Sequence, residues 1–299
     1  MRVLWLENSE FSVRELPNPE PSRPNDALIR VIRAEICSTD HQLQKGYYAF
    51  AGVPGHEFVC HSCSFCLSNL AHHCSNRTVV GILNHQGAFA QFIVLPAENL
   101  FVVPDAISDQ IACLSEPLAA ALEIQEQVNF EPTHRVLVIG DGKLGLLIAQ
   151  TLAMTNCDLL VMGHHQKKLD ILAQMGIRVT MERRNEEHVN RYDAVVECTG
   201  SPSAFNDAIT FVKARGKVVL KSTYAQALDC PIHQVVVKEL TLIGSRCGPI
   251  DKALALMQQE HSKHLNLLSM ITHEFHFDNV LEAMEVSKRH DELKVQVYF

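Results

Sequence analysis

Residues 135–154 read RVLVIGDGKLGLLIAQTLAM. A short apolar run, RVLVI, stops at three glycines spaced G-x-G-x-x-G: Gly140, Gly142 and Gly145, with Lys143 and Leu144 between the last two. An apolar stretch of helical character follows at once. The glycine spacing alone is a weak signal; a strand directly before it and a helix directly behind it are the context that gives it meaning. The first glycine permits a tight turn, the second lets a pyrophosphate approach the backbone, and the third lets helix and strand pack closely. The helix N-terminus then offers free N–H groups and a partial positive charge to an anion. The competing reading is a glycine-rich turn with no ligand.

Downstream the rhythm repeats. CDLLVMG (157–163), YDAVVECTG (192–200), GKVVLKSTY (216–224) and LTLIGS (240–245) read as buried strands, and QKKLDILAQMG (166–176) reads as a helix. Strands alternating with helices imply βαβ units, a parallel sheet and cover on both faces, so an α/β doubly wound Rossmann sheet is expected. An acidic residue is expected about 20 residues past the fingerprint, to bind a ribose 2′-hydroxyl. The chain instead has Gly163, then His164, His165, Gln166, Lys167 and Lys168, and the first carboxylate is Asp170, already inside the helix. A missing acid beside basic residues favours a 2′-phosphate, hence NADP(H) over NAD(H). Lys167 and Lys168 could equally form a solvated helix face.

Upstream, to Pro104, the chain is rich in strand signals. DALIRVIRAEI (26–36) and AFAQFIVLP (88–96) carry β-branched and aromatic residues, and LPNPEPSRP (16–24) reads as an extended surface loop. SEPLAAALEIQEQV (115–128) reads as an amphipathic helix with Ser115 as N-cap. The tail predicts a helix near 278–287 and a last strand, LKVQVYF.

The segment GVPGHEFVCHSCSFC (52–66) leads into a cysteine cluster: Cys60, Cys63, Cys66 and Cys74, spaced C-x2-C-x2-C-x7-C. Four thiolates on a short loop suit a closed tetrahedral zinc with no open position, hence a structural role. His61, His72 and His73 are possible substitutes. Of the other cysteines, Cys157, Cys198, Cys230 and Cys247 read as small buried apolar residues.

The 299 residues carry a formal net charge of -8, which argues against a nucleic-acid binder. No apolar run approaches the ~18 residues that a membrane span needs, and MRVLWLENSEF lacks a signal-peptide layout. A cytoplasmic protein is expected, in which ten cysteines are not a disulfide framework.

Taken together these motifs resemble the zinc-dependent medium-chain dehydrogenase/reductases, on the alcohol, sorbitol and threonine dehydrogenase side, over nearly the whole chain. EICSTD (35–40) is similar to the family segment that carries the first catalytic-zinc ligand, here Cys37. GHE (55–57) is similar to the second, with His56 as ligand and Glu57 as its acidic neighbour. SEPLA (115–119) is similar to the branch with a glutamate as third ligand, here Glu116. Cysteines spaced like Cys60, Cys63, Cys66 and Cys74 hold that family's structural zinc. VECTGSP (196–202) matches its cofactor domain and adds Thr199 to the cofactor-binding candidates Gly140, Gly142, Lys143, Leu144, Gly145, Gly163, His164, His165 and Lys168. The resemblance implies hydride transfer between a nicotinamide and an alcohol, polyol, aldehyde or ketone, with Thr39 as the hydroxyl that relays the alcohol proton. One thiolate, one imidazole and one carboxylate would leave zinc an open fourth position. It also implies a homo-oligomer. Each ligand has a plain alternative: Cys37 in the core, His56 in a turn, Glu116 as a first-turn helix acid.

Two departures stand out. Relatives carry a relay histidine at a position matching Gln42, and His41 is its neighbour here. More importantly, His56 and Cys60 are four positions apart, where the family has a long segment. Roughly two dozen residues are missing, enough for two or three strands of ~5–6 residues. Four residues span at most ~14 Å. The expected architecture is therefore a shortened GroES-like β-barrel catalytic domain, residues 1–118 and 246–299, around a Rossmann domain, 119–245. A small-molecule substrate would sit in a cleft near Gly46, Tyr47 and Tyr48, and no membrane or nucleic acid is expected as partner. A second reading is a catalytically impaired short form that keeps dinucleotide binding and the structural zinc. A third is a zinc-free quinone or enone reductase.

Overall fold

The computed structural model describes residues 1–46, 50–54, 79–182, 186–224, 229–259 and 264–299. They divide into two compact units, Met1–Val102 with Ile271–Phe299, and Val103–Met270. These seams differ from the expected 118/119 and 245/246. Helix Ser115–Gln127 is continuous and packs against helices Lys143–Ala153 and Ile250–Gln258, so its first turn and the 246–270 segment stay with the parallel sheet.

In the Val103–Met270 unit, six parallel strands lie in the order Arg178–Thr180, Asp158–Met162, Arg135–Ile139, Tyr192–Glu197, Val212–Leu220, Thr241–Gly244. In chain order this is 3-2-1-4-5-6, the doubly wound arrangement. The chain leaves strand Arg135–Ile139 in one direction and resumes on its other side at Tyr192. Val136, Leu137 and Val138 are fully buried, as are Val195 and Val196 beside them, which is why these strands are continuous apolar runs. Helix Lys143–Ala153 buries everything from Gly145 to Leu152. Strand Val212–Leu220 starts directly after helix Pro202–Phe211, earlier than GKVVLKSTY suggests.

In the other unit, strands Arg2–Glu7 and Glu10–Glu15 form a hairpin whose turn residues, Asn8 and Ser9, both have positive φ. That matches the twist a two-residue turn must supply. The stretch DALIRVIRAEI holds two strands. Asp26–Arg30 pairs antiparallel with Phe92–Pro96, and Arg33–Glu35 pairs with the C-terminal strand Lys294–Tyr298, which also lies parallel to Ile271–His276. The chain changes sheets at Val31 and Ile32, where Val31 is buried and Ile32 faces solvent. Among the described residues these are small separate sheets around a shared core of Val3, Leu4, Ile36, Val53, Phe89, Val280, Val295 and Val297.

Candidate dinucleotide site and metal-ligand positions

The fingerprint stands at the carboxyl end of strand Arg135–Ile139, beside Tyr192–Glu197, where the strand order reverses. In open α/β sheets this crevice is where ligands bind. Its three glycines have three different reasons. Gly140 has φ +130°, and a Cβ there would lie 2.9 Å from Cys198 Sγ and 3.0 Å from the Thr199 methyl. A Cβ on Gly145 would lie 2.2 Å from the Gly140 carbonyl oxygen, so helix and strand approach to backbone contact. Gly142 is the N-cap of helix Lys143–Ala153, and a Cβ there would meet nothing within 4 Å. That open space over the helix start is what a pyrophosphate needs. Lys143 and Leu144 form the first turn, both half-buried.

Asp141, between the first two glycines, is a residue that the spacing does not single out. Its carboxylate accepts from the amides of His164 at 2.7 Å and His165 at 2.6 Å, with His165 Nδ1 at 3.1 Å. Burial alone would raise its pKa; these hydrogen bonds outweigh burial and hold the carboxyl below its usual range. A Cβ on Gly163 would lie 2.6 Å from Asp141 Oδ2. Gly163 therefore makes room for a carboxylate that crosses from the fingerprint to the tip of the second strand. The Asp141 carboxylate is engaged by the amides of that loop rather than standing in for the acid absent from position 163. Of the basic residues behind it, His164 and Lys167 are exposed, whereas Lys168 is buried rather than on a solvated face.

Cys198 and Thr199 follow the neighbouring strand. The Cys198 thiol donates to the Ile139 carbonyl at 3.1 Å, and burial pushes its pKa up, so it stays neutral. Cys198, Cys230 and Cys247 are only half-buried, unlike the expectation for all four; Cys157 alone of them is buried. They sit at element ends, where packing is incomplete. Glu197, at the strand's end, is fully buried and accepts four hydrogen bonds. They come from Thr199 N at 2.6 Å, Thr199 Oγ1 at 2.5 Å, Gly200 N at 3.2 Å and the Tyr224 hydroxyl. At the end of the adjacent strand lies another buried polar group, Lys221, which donates to Ser245 Oγ at 3.0 Å and to the Arg246 carbonyl at 2.5 Å. Burial pushes the Lys221 ammonium down to about 8, against the opposing pull of Glu123, Cys247, Glu116 and Cys198.

The candidate metal ligands are placed unevenly. Cys37 caps helix Ser38–Gln44, its amide donating to Asp40 Oδ2 at 2.8 Å and its sulfur 3.7 Å from Thr39 Oγ1. The His41 ring faces Ser287 Oγ at 2.8 Å, while Gln42 is exposed. Glu116 lies in the first turn of Ser115–Gln127, exposed, with Leu114 rather than Ser115 as N-cap. Cys37 and Glu116 belong to different compact units. His56, Glu57, Cys60, Cys63, Cys66 and Cys74 lie outside the described residues, as do Tyr47 and Tyr48. Among the described residues no three His, Cys, Asp or Glu side chains gather as a metal-holding group.

A model of the family described as zinc-binding dehydrogenase matches residues 144–260, which hold the last fingerprint glycine and the five strands beyond it. Sorbitol dehydrogenase of Halalkalibacterium halodurans is 26% identical over 330 aligned positions, covering 95% of this chain and 94% of that protein. The chain is similar to medium-chain dehydrogenase/reductases. Its fold is close to that of two solved structures. A short chain alcohol dehydrogenase from E. coli, complexed with NADH, is 21% identical with a TM-score of 0.89, over 100% of this chain and 99% of that one. A zinc-binding dehydrogenase from Sinorhizobium meliloti, bound to NADP, is 21% identical with a TM-score of 0.87, over the same shares. The chain is nevertheless short beside the sorbitol dehydrogenase that it matches. The 330 aligned positions exceed its 299 residues, so its relative carries segments that it lacks.

Proposed function

We propose that the protein is a zinc-dependent dehydrogenase that transfers a hydride between NADP(H) and an alcohol, polyol, aldehyde or ketone. The observation that carries this reading is the fingerprint at the reversal point of a 3-2-1-4-5-6 sheet, with open space over Gly142. Gly142 and the first turn at Lys143 and Leu144 receive the pyrophosphate. Asp141 holds the loop His164–His165 in place, and the bases His164 and Lys167 on its exposed side favour a 2′-phosphate. The nicotinamide supplies the hydride chemistry and zinc the Lewis acidity.

Cys37, His56 and Glu116 are the residues that would hold the catalytic zinc. The donor types suit it, and a thiol at a helix start beside a hydroxyl is a plausible ligand with a proton-relaying neighbour, Thr39. Glu57 would orient His56. Cys60, Cys63, Cys66 and Cys74 would hold the structural zinc. The two parts that go with this reading are a GroES-like catalytic part, expected at 1–118 and 246–299, and a Rossmann part, expected at 119–245, against compact units that divide at 102/103 and 270/271. No helix among the described residues is long and apolar enough to cross a membrane, in keeping with a cytoplasmic enzyme. Ile232, Val236 and Val237 are exposed beside the last strand of the sheet, Thr241–Gly244, which supports a homo-oligomer built on that edge.

One observation favours a second reading, a short form that binds dinucleotide and one structural zinc without turnover: the four-position spacing of His56 and Cys60. Elemental analysis of purified protein, with a nucleotide titration on the same sample, separates the two. Two zincs per chain and alcohol-dependent NADP+ reduction support the dehydrogenase. One zinc, kept in Cys37→Ser but lost in Cys63→Ser, supports the short form.

A further inference from the structure

The buried carboxylate of Glu197 has no place in the roles assigned so far. It ends a strand whose preceding residues, Ala194, Val195 and Val196, are all apolar and buried. A carboxylate taken out of water is costly unless its oxygens are satisfied. Among the described residues its hydrogen-bond partners are all neutral: two backbone amides and two hydroxyls. Packing alone would be served better by another valine.

These partners share one feature: three of the four bonds come from the turn that follows. The Thr199 amide and hydroxyl and the Gly200 amide all converge on Oε1, while Tyr224 holds Oε2 from beyond the adjacent strand. Gly200 has φ +74°, so the turn is tight. Thr199 itself is exposed, yet its hydroxyl is fully engaged, donating to Glu197 and accepting from the Ser201 amide at 2.9 Å. Its methyl group lies 3.0 Å from where a Cβ on Gly140 would stand. A chain of contacts thus runs from Tyr224 through Glu197 and Thr199 to the first fingerprint glycine. Tyr224 is fixed in turn by an edge-on contact with Phe205, ring centroids 6.4 Å apart.

We propose that Glu197 is a positioning residue for the dinucleotide, anchored by Tyr224, which holds the Cys198–Gly200 turn against Gly140 so that the turn and the fingerprint form one rigid wall of the pocket. This rests on the dinucleotide reading of that site. Thr199 then serves through its placement, since its hydroxyl proton is already committed. A turn that is pre-organised pays its ordering cost in folding rather than in binding.

The test uses the full-length protein and NADPH and NADH as fluorescent probes, with Kd and thermal midpoint measured for each variant. Tyr224→Phe and Thr199→Val each remove one hydroxyl from the carboxylate and are expected to raise both Kd values about tenfold. Thr199→Ser keeps the hydroxyl but loses the methyl that faces Gly140, and is expected to bind between the parent and Thr199→Val. Glu197→Gln keeps an acceptor for the turn but loses the one for Tyr224, and is expected to fall between. Folded variants with parental Kd, even with a lowered thermal midpoint, overturn the proposal, because a merely structural clamp would move stability alone. If Tyr224→Phe does not fold, the exposed Thr199 pair still decides. A parent that binds neither nucleotide overturns the dinucleotide reading itself; a parent that binds, with unaffected variants, overturns only the role of Glu197.

Discussion

The two compact units present their chemistry in opposite ways. In the parallel-sheet unit the fingerprint lies within six consecutive residues, and its surroundings, Asp141, Cys198 and Thr199, are fixed by hydrogen bonds of 2.6, 3.1 and 2.5 Å. In the other unit two of the three proposed catalytic-zinc ligands come from separate stretches, Cys37 at a helix start and His56 four positions before Cys60. A site made by one strand and one helix survives changes elsewhere in the chain. A site assembled from distant segments depends on every connection between them, and here one connection is four positions long.

The largest expected effect tests how rigid the first site is. In Gly145→Ala the new Cβ would lie 2.2 Å from a backbone oxygen that cannot rotate away. A loss of about 1–3 kcal/mol in stability is expected, together with loss of nucleotide binding. Denaturant unfolding and a titration with NADPH check both. Parental behaviour would mean that the helix is free to slide, and the contrast between the units would fail.

Next comes Cys37→Ser. If the ligands assemble, it removes one zinc per chain and all alcohol-dependent turnover while leaving nucleotide Kd unchanged. Unchanged turnover would place the chemistry elsewhere.

Asp141→Asn sharpens the comparison from the nucleotide side. The parent's carboxyl titrates below its ordinary range in the folded state. Its stabilising contribution is therefore present at neutral pH and lost as pH falls through the folded value. The variant is expected to bind nucleotide several-fold more weakly and to show a flatter acid limb in thermal midpoint against pH.

Lys221→Met acts at the other end of the pH scale. The folded pKa of about 8 lies below the ordinary 10.5, so the unfolded chain holds the proton in between and parental stability rises with pH across that window. The variant should lose that rise, as read from unfolding midpoints at pH 7 and pH 10.

The smallest change in stability is expected for Gly142→Ala, under about 1 kcal/mol, because the site is open and only the N-cap preference is at stake. Nucleotide affinity should nevertheless fall, since the methyl group occupies the space left for the pyrophosphate. Two glycines three residues apart would then separate fold from function.

Much of this molecule follows from local pattern. The strand–glycine–helix unit and the alternating strands after it could be read from residue type alone, because burial on both faces demands continuous apolar runs and a tight turn demands glycine. Local pattern also left Gly163 looking like a position without its acid, and gave Thr199 no partner in the fold. Folding decided otherwise. It carried Asp141 across to the second strand's tip, tied Thr199 to a buried Glu197 and drew in Tyr224 from beyond the neighbouring strand. It also split one apolar stretch at Val31 between two sheets and buried Lys168. Periodicity reports which face of an element is apolar. It cannot report which side chain from another strand will arrive to satisfy a buried charge, because that is set by the packing of elements distant in the chain.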